Sequence, residues 1–435
     1  MNSWQRCAGL LLGSFLALWD PARAWAQGAG IPTYTLDEAI RLALENDPAA
    51  VAAESGVSTA RAGVLEARGA WLPTISLESS YANSSNQRFD QSTGQLVSES
   101  YTARTQAGFD IFSGGRRYFQ TRSANARLRA ADAAYRAQRF QTILRTTEAF
   151  YATAAAAELV RVAERRLERA RQQLAFAETR LEVGTATRSD LLRAQLEVGN
   201  AELALVNSES ALRSARLNFG RRLGLEGGAE PADARLPDRA PDLPPIEELA
   251  RRAEYSSPDA VAARADLDTR RAERWSARSN YLPSLRLTGG YDWFAYEFPP
   301  DQRSWSLRLV ASFPLFNGFQ REAANARAAA ALRTSEANAR DAAIAARIAA
   351  EDAAAEIASA ERRVDIARRA VELAQEDLRV QEERYRIGNA TIVELQTSQV
   401  ALADAEAAFV QARQALAVAV ARLEAVLGER IGQMP

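Results

Sequence analysis

The sequence predicts a mainly α-helical chain that carries a smaller β part and is built from one unit used twice. Three observations lead to this fold class. Several motifs return in the same order at offsets of 204 to 210 residues, one stretch of nearly 70 residues lacks both proline and glycine, and four short segments alternate apolar and polar residues. Repeats of this kind indicate a duplicated structural unit, and the two periodicities indicate helices and strands.

The internal repeat is clearest in two motifs. Trp71–Ile75 returns as Tyr281–Leu285 at an offset of 210, and Arg180–Gly184 returns as Arg384–Gly388 at an offset of 204. A segment rich in proline and glycine, 224–245, separates the copies and is typical of a linker. The predicted organisation is a signal peptide over 1–26, a first repeat over 27–223, the linker, a second repeat over 246–430 and a short tail over 431–435.

The signal peptide is predicted from the first 26 residues. Arg6 precedes an apolar stretch, 8–19, that is too short to cross a bilayer as a helix, and Ala24–Ala26 has the small-x-small pattern of a cleavage site. Cleavage would remove Cys7, the only cysteine, and the chain has no histidine. Since thiol and imidazole groups would then be missing, we expect no enzyme activity, no metal site and no cofactor.

The predicted strands have one apolar and one polar face. Apolar residues occupy alternate positions, as in Trp305, Leu307 and Leu309, and strand lengths near ten residues fit strands that cross a membrane. A small soluble sheet with one face on a core would show the same alternation, so the strands alone leave both structures open. The four strands are expected at about 74–82, 100–112, 284–294 and 304–316, with loops at about 82–98 and 296–303.

The long helices give the second periodicity. From about Arg116 to Val183 the chain has no proline or glycine, which corresponds to a helix of roughly 100 Å. Apolar residues recur every seven positions with alanines between them, as in a coiled-coil seam, and a purely structural coiled coil is the simpler interpretation of this signal alone. The seam residues are Val160, Leu167, Leu174 and Leu181 in the first copy and Val364, Val371, Leu378 and Tyr385 in the second. Shorter helices are expected at about 36–70 and 187–222.

Together, these parts predict an assembly of several chains. Four strands cannot close a barrel, and an open sheet edge cannot exist in the hydrocarbon of a bilayer. About eight strands is the practical minimum, so at least two chains must share one barrel, and three chains would give twelve strands around an open interior. We therefore predict a trimer with a 12-stranded transmembrane β-barrel standing on an α-helical barrel.

With these ordered and duplicated motifs, the chain resembles the TolC family of outer-membrane efflux channels over nearly all of 35–430. The motifs are Leu72-Pro73 and its copy before the strands, Phe-x-x-Phe after them, and the turns that follow Arg180 and Arg384. The resemblance implies a homotrimer in outer-membrane lipid, with its helical barrel in the periplasm. It also implies a periplasmic adaptor protein at the closed end of the tunnel and, indirectly, an inner-membrane pump of the ABC or proton-driven type.

The function implied is the outer-membrane exit channel of a tripartite efflux or type I secretion system, passively conducting substrate that the pump supplies. The sequence leaves the cargo open, because the pump selects it. The alternative is a periplasmic coiled-coil adaptor or scaffold, which shares the helical hairpins but needs no lipid-facing strands. Acidic and basic residues nearly balance, 55 to 54, without a basic stripe, so a nucleic-acid partner is not expected.

The turns near 184–190 and 388–394 are expected to close the tunnel. By resemblance, the residues of the pore constriction are Asp190, Glu394, Tyr385 and Thr397. A ring of carboxylates would prefer cations. The simpler interpretation is that acids in a first helical turn stabilise the helix, with Ser189 as an N-cap. Ala390 and Thr397 replace a basic and an acidic residue that the family often has, and Arg188 is a candidate basic partner instead.

The same turns are expected to bind the adaptor. Gly184 and Gly388 come just after the last seam residues, where a left-handed helix cap needs glycine. An equally good interpretation of the neighbouring leucines is that they pack the hairpins together. The predicted adaptor-contacting residues are Gly184, Thr185, Leu191, Leu192, Gly388 and Leu395.

Overall fold

The computed structural model describes residues 31–89, 94–232 and 235–431. The signal peptide predicted over 1–26 and most of the tail predicted over 431–435 lie outside these residues. The described chain is mostly helical, and both copies contain two short helices, two strands, a long helix and a returning helix in that order. The predicted mainly α class with a smaller β part is confirmed.

The elements of the two copies follow one another with the linker between them. The first copy runs β1 (Thr33–Tyr34), α1 (Leu36–Asn46), α2 (Pro48–Gly69), β2 (Thr74–Phe89), β3 (Leu96–Ser113), α3 (Arg116–Glu182) and α4 (Arg188–Arg222). The linker carries β4 (Glu230–Pro231), which pairs in parallel with β1. The second copy runs α5 (Ile246–Ser256), α6 (Pro258–Ser279), β5 (Ser284–Ala295), β6 (Gln302–Ser312), α7 (Gln320–Arg386) and α8 (Ile392–Leu427).

The single helix predicted over about 36–70 is instead two helices, α1 and α2. Asp47 is the cause, because its carboxylate accepts hydrogen bonds from the amides of Ala49 and Ala50 at 2.8 and 3.2 Å and so caps α2. Pro48 then occupies the first helical position, where no amide donor is needed. The second copy uses Ser257 and a proline in the same way at the start of α6.

The two long helices, α3 and α7, contain 67 residues each and are therefore about 100 Å long. The predicted seam is partly buried: Leu167 and Ala170 are buried in the first copy, and Val364 and Leu378 are buried in the second. Small residues between the larger ones let α3 approach α4, and α7 approach α8. Within the described ranges, no helix combines the length and apolarity needed to span a membrane.

The four longer strands form one antiparallel sheet in the order β2-β3-β5-β6. At its centre β3 and β5 join the two copies, with Gly108 opposite Thr288. The edge strands β2 and β6 each pair with a single neighbour in the described chain. Because side chains alternate along a strand, the predicted polar and apolar sets lie on opposite faces of this sheet.

The strand ends differ from the prediction in two places. β2 continues to Phe89 and β3 begins at Leu96, so much of the loop expected over 82–98 is strand, with a register shift between Asn83 and Arg88. β6 ends at Ser312 rather than near 316, and Pro314, which has no amide proton for a sheet ladder, follows within two residues. The first hairpin is therefore the longer of the two.

Candidate functional site: the helical tips

Two matching turns form the tips, one joining α3 to α4 and the other joining α7 to α8. In each turn a glycine adopts the left-handed conformation, with φ of 77° at Gly184 and 81° at Gly388. The Thr185 amide then donates to the Arg180 carbonyl at 2.8 Å, and the second tip repeats this bond at the same length. A residue with a side chain would be strained at these angles, so glycine allows both turns to close.

The acids at both tips belong to capping boxes. Thr187 caps α4, and its hydroxyl accepts from the Asp190 amide at 3.2 Å while the Asp190 carboxylate accepts from the Thr187 amide at 2.9 Å. Thr391 and Glu394 make the same pair of bonds at 3.3 and 2.7 Å at the start of α8. The expected N-cap at Ser189 is wrong, because Thr187 is the last residue with extended backbone before the helix.

Both tip carboxylates remain charged at neutral pH. The hydrogen bond from the Thr187 backbone is the largest cause lowering the pKa of Asp190, and burial opposes it. The Thr391 backbone likewise lowers the pKa of Glu394, whose side chain is exposed. Capping and a charge role are therefore compatible, since the hydrogen bonds that cap each helix stabilise the ionised carboxylate.

Tyr385 joins the second tip to the first. Its carbonyl accepts from Nη1 of Arg180 at 2.9 Å, and its ring centroid lies 5.0 Å from the guanidinium carbon, which is a cation–π contact. The Phe176 ring meets the Tyr385 ring edge-on at 5.8 Å. Burial raises the pKa of the Tyr385 hydroxyl, and the Arg180 charge opposes this. Arg180, rather than Arg188, is therefore the basic partner at this contact.

An apolar cluster lies directly behind the tips, between the two hairpins. Leu395 is only 1% exposed within it, so this side chain packs the hairpins and is not on the surface expected to bind an adaptor. Ala390 packs against the same cluster, where a charged side chain would meet an apolar surface. The buried members of the cluster are Ala177, Ala194, Leu378, Tyr385, Ile392, Leu395 and Leu402.

The other predicted residues lie nearer the surface. Leu192 is 55% exposed, and Leu191 is half-buried beside it. Thr397 is exposed, but its hydroxyl donates to the Val393 carbonyl of its own helix at 2.8 Å. The remaining exposed positions predicted for the adaptor are Gly184, Thr185 and Gly388.

Three polar residues at the contact between the hairpins were missed from the sequence. Arg180 is the first, and Gln396 is the second, with its side-chain amide donating to the Arg193 carbonyl at 3.1 Å. Both reach main-chain oxygens of the other hairpin, and such acceptors leave no side-chain pattern in a sequence. Gln173 is the third, and its buried side chain lies beside the seam next to Tyr385. A polar residue within an apolar heptad was the one signal that could have indicated it.

Comparison with known proteins places this architecture in a family. The model of the family described as outer membrane efflux protein matches residues 39–225 and 249–429, one segment in each repeat and most of the chain together. The chain belongs to the outer membrane efflux protein family. The TolC-type resemblance drawn from the duplicated motifs is thereby confirmed.

Individual members of the outer membrane efflux protein family show how far the likeness extends. Protein CyaE of Bordetella pertussis is 29% identical over 291 residues, covering 65% of this chain and 60% of CyaE. Outer membrane protein OprJ of Pseudomonas aeruginosa is 27% identical over 327 residues, covering 69% of this chain and 66% of OprJ. The chain thus spans less than two thirds of the length of these curated relatives.

Among solved structures, the efflux-protein fold is matched by CusC, described in terms of folding and transmembrane channel formation. The TM-score is 0.80, with 20% sequence identity over 93% of this chain and 96% of CusC. At this identity the match establishes the shared fold. It agrees with the duplicated arrangement of hairpins and strands found in this chain.

Proposed function

We propose that three copies of this chain form an outer-membrane exit channel whose sheets join into one 12-stranded barrel. The main support for this proposal is the sheet, since β2 and β6 are edge strands with one neighbour each in the described chain. Its apolar face is also uncovered, with Ile75 73% exposed and Leu77 and Trp305 both 75% exposed. A bilayer would cover such a face but would not tolerate open edges, so neighbouring copies would pair edge to edge.

The long helices would continue the channel on the periplasmic side. Hairpins built on α3 and α7 extend about 100 Å, and three pairs of them would enclose a tube of that length. Substrate would pass through it passively after delivery by an inner-membrane pump, ABC-type or proton-driven. OprJ is by its name an outer membrane protein, which supports the same location for this chain.

In this proposal the tips form the closed end of the tube and meet a periplasmic adaptor. Glu394 is exposed and charged, so three copies would place a ring of carboxylates near the axis, which would favour cations. Asp190, Tyr385 and Thr397 would complete the constriction, although Thr397 brings only a hydroxyl already bonded to its own helix. The surface offered to the adaptor consists of Gly184, Thr185, Leu191, Leu192 and Gly388.

The experiment is to purify the protein from the outer-membrane fraction in detergent and add it to a planar lipid bilayer. We expect discrete conductance steps with a preference for cations. Boiled protein added in the same detergent is the control. A water-soluble protein that fractionates with the periplasm and gives no conductance would contradict the proposal and would favour the periplasmic adaptor or scaffold.

A further inference from the structure

The polar face of the sheet carries six charged side chains over its regular part. Four of them pair across the central strands: Arg104 with Asp292 in a close ion pair, and Arg286 with Asp110 at 3.6 Å. The other two are Glu78 on β2 and Arg308 on β6. On this face, each edge strand therefore carries one charge over the regular part of the sheet, and the two charges are opposite.

Within one chain these two charges lie on different rungs of the sheet, where a rung is the row of residues that face one another across the four strands. Glu78 lies level with Arg104, Asp292 and Ser304, whereas the rung through Arg308 leads to Thr74. Glu78 does lie near Arg104, but the Arg104 guanidinium is hydrogen-bonded to Asp292. Among the described residues no salt bridge involves Glu78 or Arg308, so both charges can also face a second chain.

The tilt of the strands shows where a second chain would present its β2. Thr74 is the first residue of β2, and Arg308, which is level with it through Gly108 and Thr288, lies four residues before the end of β6 at Ser312. Taken between the start of β2 and the end of β6, the rung climbs about four residues over three strand-to-strand steps, which corresponds to a mean tilt of about 43° at about 3.3 Å per residue and 4.8 Å per step. Barrel strands tilt by about 35–45°.

One more strand-to-strand step reaches β2 of the next copy, and there the rung meets the strand about five residues after Thr74. The position opposite Arg308 is then close to residue 79 of that copy, on the order of one residue either way. Since the polar faces must stay on one side of the joined sheet, the facing residue has an even number and is Glu78 or Ser80. In the first register the two charges are direct partners, and in the second they are diagonal neighbours that a long arginine side chain spans.

We propose that Arg308 of each copy pairs with Glu78 of the next copy, so that the inner wall carries a charge pair at every junction between subunits. This inference rests on the proposed function, because it needs the copies to join edge to edge. The binding partner is a second copy of this chain, and the opposite charges on the two open edges favour this pairing. A like-charged residue at either position would repel its facing neighbour and weaken the ring.

The first test is charge exchange on the full chain. Glu78→Arg and Arg308→Glu are each expected to lower the temperature at which the trimer dissociates in SDS by several degrees. The double variant is expected to recover the part of the loss that arises at the junction, whereas the repulsion between an arginine at position 78 and Arg104 of the same chain remains. Arg286→Glu, whose partner Asp110 lies in the same chain, should gain nothing from Glu78→Arg. A double variant as weak as the sum of its single changes would overturn the pairing.

Cross-linking tests the same junction without relying on stability. In a Cys7→Ser background, either Glu78→Cys or Ser80→Cys combined with Arg308→Cys should give covalent trimers on oxidation. The control pair, Ser76→Cys with Ser304→Cys, lies on the same strands and face but is expected to be roughly 20 Å apart at this junction and should stay unlinked. Trimers without a cross-link at 78 or 80 would overturn the pairing alone, whereas the absence of any oligomer would overturn the proposed function as well.

Discussion

The guanidinium of Arg180 holds the second tip to the first, with Nη1 bonded to the Tyr385 carbonyl at 2.9 Å and the charge 5.0 Å from the Tyr385 ring centroid. The same side chain also donates to the Thr185 carbonyl of its own turn at 3.3 Å. Arg384 makes the corresponding bond within the second turn, to Asn389 at 3.3 Å. Of these two arginines, Arg180 alone reaches the other hairpin among the described residues, although the two turns are otherwise alike.

Arg180→Gln should loosen the contact between the tips more than Arg384→Gln does. Both changes remove a bond within a turn, but only the first removes the bond and the cation–π contact between hairpins, which together contribute about 1–2 kcal/mol. Hydrogen exchange over 384–391 should accelerate in the Arg180 variant, and its channels should open more often in planar bilayers. Equal effects of the two variants would show that the inter-hairpin contact does not hold the tips.

Glu394→Gln should reduce the preference for cations while leaving the helix start intact. Glutamine keeps the capping box with Thr391 but removes the charge, so we expect a change in stability within about 0.5 kcal/mol. Glu394→Ala, by contrast, should lose both the charge and the side-chain half of the capping box, while the bond from the amide of residue 394 to the Thr391 hydroxyl remains. Reversal potentials in a salt gradient measure the selectivity. An unchanged reversal potential in both variants would exclude Glu394 from the constriction.

Thr187→Ala should fray the first turn of α4, whereas Ser189→Ala should not. The Thr187 hydroxyl accepts from the Asp190 amide, and loss of such a cap costs about 0.5–2 kcal/mol. Hydrogen exchange at the amides of 188–191 reports this turn directly. If Ser189→Ala accelerated exchange as much as Thr187→Ala, the assignment of the cap would be incorrect.

Leu395→Ala should destabilise the hairpins by about 2–5 kcal/mol, because a fully buried leucine leaves a cavity when it is truncated. Leu192→Ala should change stability by less than about 0.5 kcal/mol, since that side chain is 55% exposed, yet it should weaken adaptor binding. Thermal unfolding in detergent and a pull-down with a periplasmic adaptor protein separate the two roles. Normal adaptor binding by Leu192→Ala would remove it from the docking surface.

Acidification should release the caps at both tips. The folded protein lowers the pKa of Asp190 and Glu394, so the stability that each carboxylate contributes is fully present above the ordinary carboxyl pKa of about 4 and is lost as pH falls through the lowered value. A spin label at Arg188→Cys should become more mobile over that range. The same label in an Asp190→Asn variant should show no such step, and a step of equal size there would refute the assignment.

The sequence predicted the large elements well because their causes are local and repeated. The long helix from Arg116 could be predicted from the absence of proline and glycine alone. Gly184 and Gly388 indicated the turns, because left-handed backbone favours glycine. The extension of β2 was not predictable in this way. The polar run 83–87 has no alternation, and it becomes strand as part of the long hairpin that β2 forms with β3.

The candidate site was harder to predict than the fold, for a physical reason. Asp190 and Glu394 could be found because their spacing from Gly184 and Gly388 is fixed within each turn. The link from Arg180 to Tyr385 joins residues 205 positions apart and ends on a main-chain oxygen, which any residue would supply. Contacts of this kind follow from how the two hairpins pack, and no local sequence pattern predicts them.

The proposed channel requires neighbouring copies to join the open edges of β2 and β6, and native mass spectrometry of the detergent-purified protein tests this most directly. We expect one dominant species with the mass of three chains, since three four-stranded sheets give a 12-stranded wall. A single chain that stays monomeric once detergent is removed would contradict the proposed channel.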